Sequence, residues 1–375
     1  MTWREVLLGD VIRLKRGHDL PASRRIAGDV PIVSSSGVTG FHVEAKADGP
    51  GVVTGRYGTL GEVHFIDGPY WPLNTALYVE DFRGNHPRYV AYLLKTLALG
   101  TQNTAGAVPG VNRNALHQLL VKVPEVGTQV AMADQLGRYD ELIETNRRRM
   151  ALLEESARLL YREWFVNLRF PGHELVPTPN GLPAGWSRTP LSTMVDTKPK
   201  TPYETGKVYP FVPMQALSET AMVIGPPDQR PISGGAKFRN RDTLLARITP
   251  CLENGKTGFV QFLSDDIPVA SGSTEFIVMR SRTASPYWVY CVARDQAFRD
   301  HAILSMTGAD GRQRVNPKCF DTYISLQAPE AVLNDFDSVV GPIFEQVEVL
   351  AKQSLALQKV RDELLPRLMS GAIRV

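Results

Sequence analysis

The sequence predicts a mixed α/β fold, in which two similar α/β domains are held apart by two long helices that pair as an antiparallel coiled coil. Two observations predict it. Short strand-like runs, turns and one helix form a series that occurs twice in the chain, and each series ends in a long heptad-patterned segment. The length of 375 residues suits two domains and their connectors.

The repeat is visible as pairs of markers that keep their order along the chain. Trp3 and Trp186 open the two copies, and VVTGRYGTLGEV (52–63) is echoed by LLARITPCLENGKTGFV (244–260). The offset between partners drifts gradually, from 183 residues for the tryptophans to 205 for the two Pro-Glu pairs, as expected for two copies of one domain after changes in loop length. Its period of about 200 residues is too long for a solenoid. Further partners are Asn74 with Ser273, Pro87 with Pro286, Val111-Asn112 with Val315-Asn316, and Pro124-Glu125 with Pro329-Glu330.

Within each copy, three strand-like runs precede one helix. The runs are VVTGRY, GEVHFI and TALYVED in the first copy, and TLLARI, TGFVQFL and TEFIVMR in the second. HPRYVAYLLKTLALG (86–100) has a proline in its first turn and a final glycine, which are signals for the start and end of a helix. SPYWVYCVA (285–293) is its partner. Each copy is therefore predicted to be a mixed α/β module with polar loops.

The two long segments carry apolar residues at alternating spacings of three and four, the pattern of a coiled-coil seam. An apolar stripe also suits one helix lying on a core, but two such helices, one after each copy, are best buried against each other. Asn146 is a polar position in the first seam and is expected to fix the register of the pair. The predicted seams are Leu136, Tyr139, Ile143, Asn146, Met150, Leu153, Ala157, Leu160 and Trp164, and Val340, Ile343, Val347, Leu350, Ser354, Leu357, Val360, Leu364 and Leu368.

These patterns divide the chain into five parts. The predicted parts are a first domain at 1–125, a central helix at 126–170, a linker at 171–185, a second domain at 186–330 and a C-terminal helix at 331–375. The linker, PGHELVPTPNGLPAG, is rich in proline and glycine and is expected to be extended.

Composition indicates an ordinary globular protein, with 43% hydrophobic residues, 22% charged residues and a net charge of +3. Cys251, Cys291 and Cys319 are widely spaced and are expected to be buried or incidental thiols. No membrane span and no secretory signal are expected, so the expected compartment is the cytoplasm. Basic clusters suit either phosphate binding or a solvated charged face. They are Arg13, Lys15, Arg16, Arg24 and Arg25, then Lys198, Lys200, Lys237, Arg239 and Arg241.

The motifs of common enzyme classes are incomplete. NGKT (254–257) would need a glycine where Pro250 stands to form a phosphate-binding loop. The glycines of GRYGTLG have the wrong spacing for a dinucleotide site, and the sequence has neither HExxH nor an Asn-Pro-Pro-aromatic run. No catalytic residue, metal site or resident cofactor is therefore expected in this chain.

Together these residues resemble the specificity (S) subunits of type I restriction-modification systems, over essentially the whole chain. The most specific motif is LLARITPCLENGK (244–256), and GRYGTLGEV (55–63) is its weaker counterpart. The first copy has Tyr57-Gly58-Thr59-Leu60 where the second has Ile-Thr-Pro-Cys, a divergence expected if the copies read different half-sites. Further support comes from the alternation of domain and helix and from TGADGRQRVNPKCF (307–320), REWFVNLRFPG (162–172) and the C-terminal ELLPRLMSGAIRV.

The resemblance implies a non-catalytic DNA-binding subunit, whose two target-recognition domains each read half of an asymmetric bipartite site in double-stranded DNA. The helices would set the spacer and dock two methyltransferase subunits, and restriction/translocase subunits would complete the complex. S-adenosylmethionine, ATP and Mg²⁺ would be bound by those partners, which would supply adenine methylation and ATP-dependent cleavage. Four heptads at about 1.5 Å per residue span about 40 Å, close to one turn of B-DNA at about 34–36 Å.

Candidate DNA contacts are polar side chains in loops, because arginine and lysine contact phosphates, while arginine, asparagine, glutamine and serine read base edges. In the second domain they are Arg312, Gln313, Arg314 and Asn316, then Lys237, Arg239 and Arg241, then Gln215 and Ser273. In the first domain they are Asn103, Asn112 and Arg113, then Ser34, Ser35, Arg16 and Arg56.

Several of these positions also have structural interpretations. Arg56 and Arg247 occupy matching positions, and the alternative to a DNA contact is a structural ion pair with Glu62, Glu253 or Glu275. Asn254-Gly255 is expected to form a turn. Trp3 and Trp186 are expected to be packing residues.

A different class of function stays open: an adaptor whose repeats bind a protein or glycan and no DNA. The basic loop clusters and ARITPCLENGK favour DNA. A steep salt dependence of binding would separate the two classes, because DNA binding releases counterions. A methylation-only or fused-nuclease system is a narrower alternative.

Overall fold

The computed structural model describes residues 2–97, 99, 110–309 and 311–375. It divides into two compact units: unit 1 is Met1–Glu144 with Leu355–Val375, and unit 2 is Thr145–Ser354. Each unit contains one copy of the repeat and a segment of each long helix. The predicted mixture of helices and strands is confirmed.

The elements follow the same order in the two copies. The first copy contains β1 (Trp3–Leu7), α1 (Leu8–Val11), β2 (Arg13–Arg16), β3 (Val30–Ser34), β4 (Gly37–His42), β5 (Gly51–Gly55), β6 (Val63–Ile66), β7 (Trp71–Pro72), β8 (Ala76–Asp81), α2 (Pro87–Thr96), α3 (Arg113–His117) and β9 (Leu120–Pro124), and the long helix α4 (Val126–Tyr161) follows it.

The second copy repeats that order with additions. It contains β10 (Ser187–Pro190), α5 (Leu191–Met194), β11 (Val195–Asp196), β12 (Val208–Val212), β13 (Asp228–Pro231), β14 (Ala236–Phe238), β15 (Thr243–Ala246), β16 (Thr257–Phe259), β17 (Ala270–Gly272), β18 (Phe276–Ser281), α6 (Pro286–Arg294), α7 (Gln296–Leu304), α8 (Cys319–Thr322) and β19 (Ile324–Gln327), and the long helix α9 (Glu330–Met369) follows it.

The sheets of the two copies correspond strand by strand. In the first copy their orders are β2-β8-β5-β6, β4-β3-β7 and β1-β9; in the second they are β11-β18-β15-β16, β13-β12-β17-β14 and β10-β19. The parallel pair β3-β7 recurs as β12-β17, and β14 is added at the edge of that sheet. The two copies are therefore one fold with local insertions.

Main-chain hydrogen bonds also fix which residues of the two copies correspond. Leu73 N donates to Val33 O at 2.8 Å, and Ser273 N donates to Val212 O at 3.2 Å. Ser273 therefore matches Leu73, and the sequence pairing of Asn74 with Ser273 is wrong by one residue. The reason is that the segment from this point to the next helix is one residue shorter in the second copy.

Each copy holds more helices than predicted. α2 and α6 are the predicted ones, and both have a proline in the first turn and a side-chain cap, from His86 and Ser285. The expectation of one helix per copy is wrong, because α1, α3, α5 and α8 have only four or five residues, too few to show an apolar period. α7 is longer and starts at its cap, Asp295.

Within unit 2, α4 and α9 run antiparallel. Near the end of α4, the rings of Phe165 and Phe336 lie 5.0 Å apart. Nearer its middle, Asn146 Nδ2 donates to Gln353 Oε1 at 3.0 Å. Residue numbers therefore rise along α4 in the direction in which they fall along α9. Asn146 is buried, as expected of a polar position in the seam.

Within unit 1, the same two helices meet through apolar and charged contacts. Leu136 and Leu368 are fully buried in one core. Arg361 Nη1 lies 2.6 Å from Asp140 Oδ1, and Asp140 also accepts a hydrogen bond from Tyr92. Val360 is exposed instead, so its assignment to the seam is wrong: Arg361 is the residue that turns inward, to reach Asp140.

Residues 171–185 do not form the extended linker that was expected. They contain two 3₁₀ turns, His173–Leu175 and Pro179–Gly181. Val176 and Leu182 pack against the core of unit 2, which gives the segment a reason to fold back. Trp186, at its end, is buried in the same core, as predicted.

Two expectations from composition can be compared with the structure. Cys291 and Cys319 are buried free thiols, and Cys251 is a partly buried one. Burial raises the pKa of the Cys319 thiol to about 11. Over the described part of the chain, no helix has the length and apolar character needed to cross a membrane.

A buried ionic network ties α4 to the rest of unit 2. The carboxylate of Glu154 accepts hydrogen bonds from Met222 N at 2.6 Å and from Tyr290 OH at 2.5 Å, and it lies 3.4 Å from Arg294 Nη2. Arg294 also donates to two loop carbonyls. Both charged side chains are at most 5% exposed, so each depends on the other for neutralisation.

We predict that Glu154→Ala lowers the free energy of unfolding by about 3–5 kcal/mol, because it leaves the guanidinium of Arg294 buried without its carboxylate. Guanidinium-induced unfolding, followed by circular dichroism, measures the loss. Glu155→Ala is the matched control: Glu155 pairs with Arg158 at the surface at 3.4 Å, and its loss should cost less than about 1 kcal/mol. Equal losses in the two variants would contradict the assigned role.

Candidate nucleic-acid interface

In unit 2, three segments meet where β15 ends. Arg247 N donates to Glu275 O at 3.0 Å, just before β18 begins. Val315 N donates to Arg247 O at 2.9 Å, and Thr249 N donates to Gln313 O at 3.1 Å. The loop around Arg312–Asn316, which sequence analysis ranked first, is therefore held against the end of β15 by main-chain bonds.

The side chains at this junction form a charged triad. Glu275 accepts from Arg247 Nε at 3.2 Å, and from Arg314 Nε at 3.0 Å and Arg314 Nη2 at 2.8 Å. These bonds, Arg314 first, hold the pKa of the Glu275 carboxyl below its usual value, so the triad has a net charge of +1 at neutral pH. The ion pair of Arg247 with Glu275, which was the structural alternative to a DNA contact, is thus present. The same carboxylate also binds Arg314, a candidate DNA contact.

Ser273 and Gln215 lie close to this junction. Ser273 Oγ accepts from Glu275 N at 3.1 Å and so shapes the turn into β18. Beside it a groove of about 420 Å³ is lined by Ser273, Met214 and the stacked pair of Arg230 and Phe211. Gln215 follows Met214 and is exposed. Arg230 was not among the candidates predicted from the sequence. Its contact with Phe211 depends on the pairing of β12 with β13, which the sequence alone does not show.

The other basic candidates of unit 2 lie elsewhere. Arg239 and Arg241 lie in the turn before β15, whereas Arg247 follows the far end of that strand, whose four residues span about 13 Å. Arg241 adopts a left-handed backbone with φ 71°. Lys237 lies in β14 with its Nζ 5.4 Å from the ring centre of Tyr203. The structure therefore does not join these three to the triad.

Two further candidates belong to the loop after α7. Arg312 is exposed, and its N–H donates to Ala309 O at 3.0 Å. Asn316 Oδ1 accepts from Lys318 N at 3.0 Å, so this side chain shapes the turn before α8.

Unit 1 builds the same main-chain frame around Arg56. Arg56 N donates to Thr75 O at 2.9 Å, and Val111 N donates to Arg56 O at 3.0 Å, as Val315 does to Arg247. The side chains differ. The guanidinium of Arg56 lies over the ring of Tyr57, 4.4 Å from its centre, and donates to the Tyr57 hydroxyl at 3.3 Å.

Three other candidates of unit 1 surround Arg56. A Cβ on Gly58 would lie 3.5 Å from Ser35 Oγ, so Ser35 faces the turn that follows Arg56. Asn112 follows Val111 and caps α3, because its Oδ1 accepts a hydrogen bond from Asn114 N at 2.9 Å. Arg113 is exposed in the first turn of that helix.

The remaining candidates of unit 1 differ in exposure. Ser34 is buried and closes the turn between β3 and β4 by donating to Gly37 O at 3.2 Å. Arg16 is half-exposed and lies 3.6 Å from Asp19, which also accepts from Asn74. Asn103 lies outside the residues that the structure describes.

In the described ranges, no three His, Cys, Asp or Glu side chains are grouped as a metal ion would need.

Comparison with known proteins agrees with this architecture. The family model described as the type I restriction modification DNA specificity domain matches residues 1–155. The type I restriction enzyme MjaIX specificity subunit of Methanocaldococcus jannaschii is 23% identical over 306 residues, which cover 76% of this chain and 69% of that protein. The type I restriction enzyme EcoprrI specificity subunit of Escherichia coli is 25% identical over 141 residues, only 36% of this chain and 35% of that protein.

A solved structure shows the same fold. The S subunit of the type I restriction-modification system from M. genitalium aligns with 98% of this chain and 96% of its own, with a TM-score of 0.58 at 14% identity. The family model matches the first copy and most of α4, and the second copy repeats the sheets and main-chain bonds of the first. Residues 1–155 therefore match the type I restriction modification DNA specificity domain, and the chain as a whole is similar to specificity subunits of such systems.

Proposed function

We propose that this chain recognises DNA for a type I restriction-modification complex and that its two copies read the two halves of an asymmetric bipartite site. One observation carries the proposal. The same main-chain frame presents an arginine in each unit, Arg56 and Arg247, and the side chain that contacts this arginine differs: Tyr57 in unit 1 and Glu275 in unit 2. A constant frame with variable side chains suits two readers of different sequences.

The exposed polar groups around each frame supply the contacts in this proposal. Arg312 and Arg314 in unit 2, and Arg16 and Arg113 in unit 1, contact phosphates or base edges. Gln313 and Asn112 lie beside them and act as donors and acceptors toward bases, whereas Ser35 is buried and supports the turn that follows Arg56. Phosphate contacts fix the position of each unit on the duplex, and base contacts select the sequence.

The long helices are the proposed docking surface for two methyltransferase subunits, and they set the spacer between the half-sites. Large apolar side chains on the exposed faces of α4 support this. Leu152 is 69% exposed, and Leu142 and Leu159 are about half exposed. Leu152 and Leu159 are two helical turns apart and share one face of α4, and a contiguous exposed apolar patch marks an interaction site. S-adenosylmethionine, ATP and Mg²⁺ then belong to the partners: the methyltransferase subunits flip and methylate an adenine, and the restriction/translocase subunits use ATP. The proposed compartment is the cytoplasm, with the chromosome.

The first test is the methylation pattern of host DNA with and without this gene, read by long-read sequencing. Deletion should abolish methylation at one bipartite motif, two short specified blocks around a fixed gap. An unchanged pattern, in a host where the gene is expressed, would contradict the proposal.

A second prediction concerns Arg314. Arg314→Ala should weaken DNA binding and relax the half-site read by unit 2, because a bidentate arginine contributes about 1–3 kcal/mol of discrimination. The half-site read by unit 1 should stay unchanged, since each unit has its own core. Methylome sequencing of the variant strain measures both halves at once. Equal relaxation of the two halves would show that the units do not read independently.

A third prediction separates DNA binding from protein or glycan binding. Titration of the purified complex with duplex DNA should show an affinity loss of at least about a hundredfold between about 50 and 200 mM salt, because bound phosphates release counterions. A glycan-binding adaptor would show almost no change over that range.

A further inference from the structure

We propose that Glu275 is a positioning residue for base recognition by unit 2: it holds Arg247 and Arg314 side by side against the acceptor edge of one base pair. Guanine presents two acceptors together in the major groove and is the usual partner of arginine there. This inference rests on the proposed function and names a residue that sets its specificity.

The first support is the geometry of the donors. The Glu275 carboxylate accepts hydrogen bonds from Nε of Arg247 and from Nε and Nη2 of Arg314. Among the described residues, both Nη groups of Arg247 and Nη1 of Arg314 have no hydrogen-bond partner. Arg247 is 33% and Arg314 is 46% exposed. The carboxylate thus fixes two planar guanidinium groups and leaves donors of both available to a ligand.

The second support is electrostatic. A carboxylate near a DNA backbone opposes binding, because it repels the phosphates. Glu275 is only 19% exposed and is kept ionised by its two arginines. A group that lowers affinity at a DNA-binding surface is expected to contribute discrimination between DNA sequences instead. Charge complementarity contributes more to specificity than to affinity.

The third support is the comparison with unit 1, where the frame is the same and the triad is missing. Thr75 takes the place of Glu275 as the acceptor of the arginine N–H. Gly110 takes the place of Arg314, since Tyr57 pairs with Gly110 as Ile248 pairs with Arg314. A Cβ on Gly110 would lie 2.5 Å from the Tyr57 ring, which fills that space and supports Arg56. The triad is therefore specific to one half-site.

The test replaces Glu275 in the full-length chain, in its own host, and reads the methylome. Glu275→Gln removes the charge and places an amide N–H₂ against the arginines. We expect discrimination at one G·C pair, in the half-site read by unit 2, to fall at least about tenfold, within the range of one bidentate arginine contact. The other half-site and the spacer should not change. Glu275→Asp, which keeps the carboxylate, should retain part of the discrimination.

Glu253→Gln is the matched control, since Glu253 is an exposed carboxylate in the turn after β15 and should leave the motif unchanged. Three results would overturn the proposal. Tighter binding with an unchanged motif would mean that Glu275 only repels DNA. Uniform loss of methylation at every site, with Glu275→Asp equally inactive, would mean that it only supports the fold. A wild-type chain without any bipartite motif would overturn the proposed function, and this inference with it.

Discussion

The proposed recognition surface of each unit depends on a hydrogen bond that involves no side chain. Val111 N donates to Arg56 O, and Val315 N donates to Arg247 O, at nearly the same distance. Main-chain bonds of this kind hold a loop against the end of a strand whatever side chains the loop carries. The loop sequence is then free to change while its position is kept. This separation of frame from contacts explains how Tyr57 and Gly110 in one unit, and the Glu275 triad in the other, occupy one architecture.

Polar contacts of a second kind connect the helices to the rest of each unit. In unit 2, Glu154 on α4 is buried with Arg294. In unit 1, Asp140 accepts a hydrogen bond from Tyr92 and forms an ion pair with Arg361. The buried pair of Glu154 and Arg294 adds little net stability, but its directional bonds favour one packing of α4 against α6. The proposed function needs that property, because a small rotation of α6 on α4 would displace the proposed DNA contacts of unit 2.

Patterns that repeat along the chain were predictable from sequence. The paired strands, the two seams and the inward position of Asn146 all follow from periodicity, which reflects burial directly. Features that depend on distant partners were not. The inward turn of Arg361 depends on Asp140, more than 200 residues away, and the fold of 171–185 depends on the core that receives Val176 and Leu182. The cluster of Arg247, Glu275 and Arg314 required the pairing of β15 with β18 and the return of a loop.

The units differ in how their chain segments are ordered during synthesis. Unit 2 is one continuous stretch, Thr145–Ser354, whereas unit 1 combines Met1–Glu144 with Leu355–Val375. Leu368, which is fully buried in the core of unit 1, is made only after all of unit 2. On the ribosome the first unit to begin is therefore the last to be completed. Its apolar face stays uncovered until α9 has been synthesised. Such an order lengthens the time for which the nascent chain exposes apolar surface.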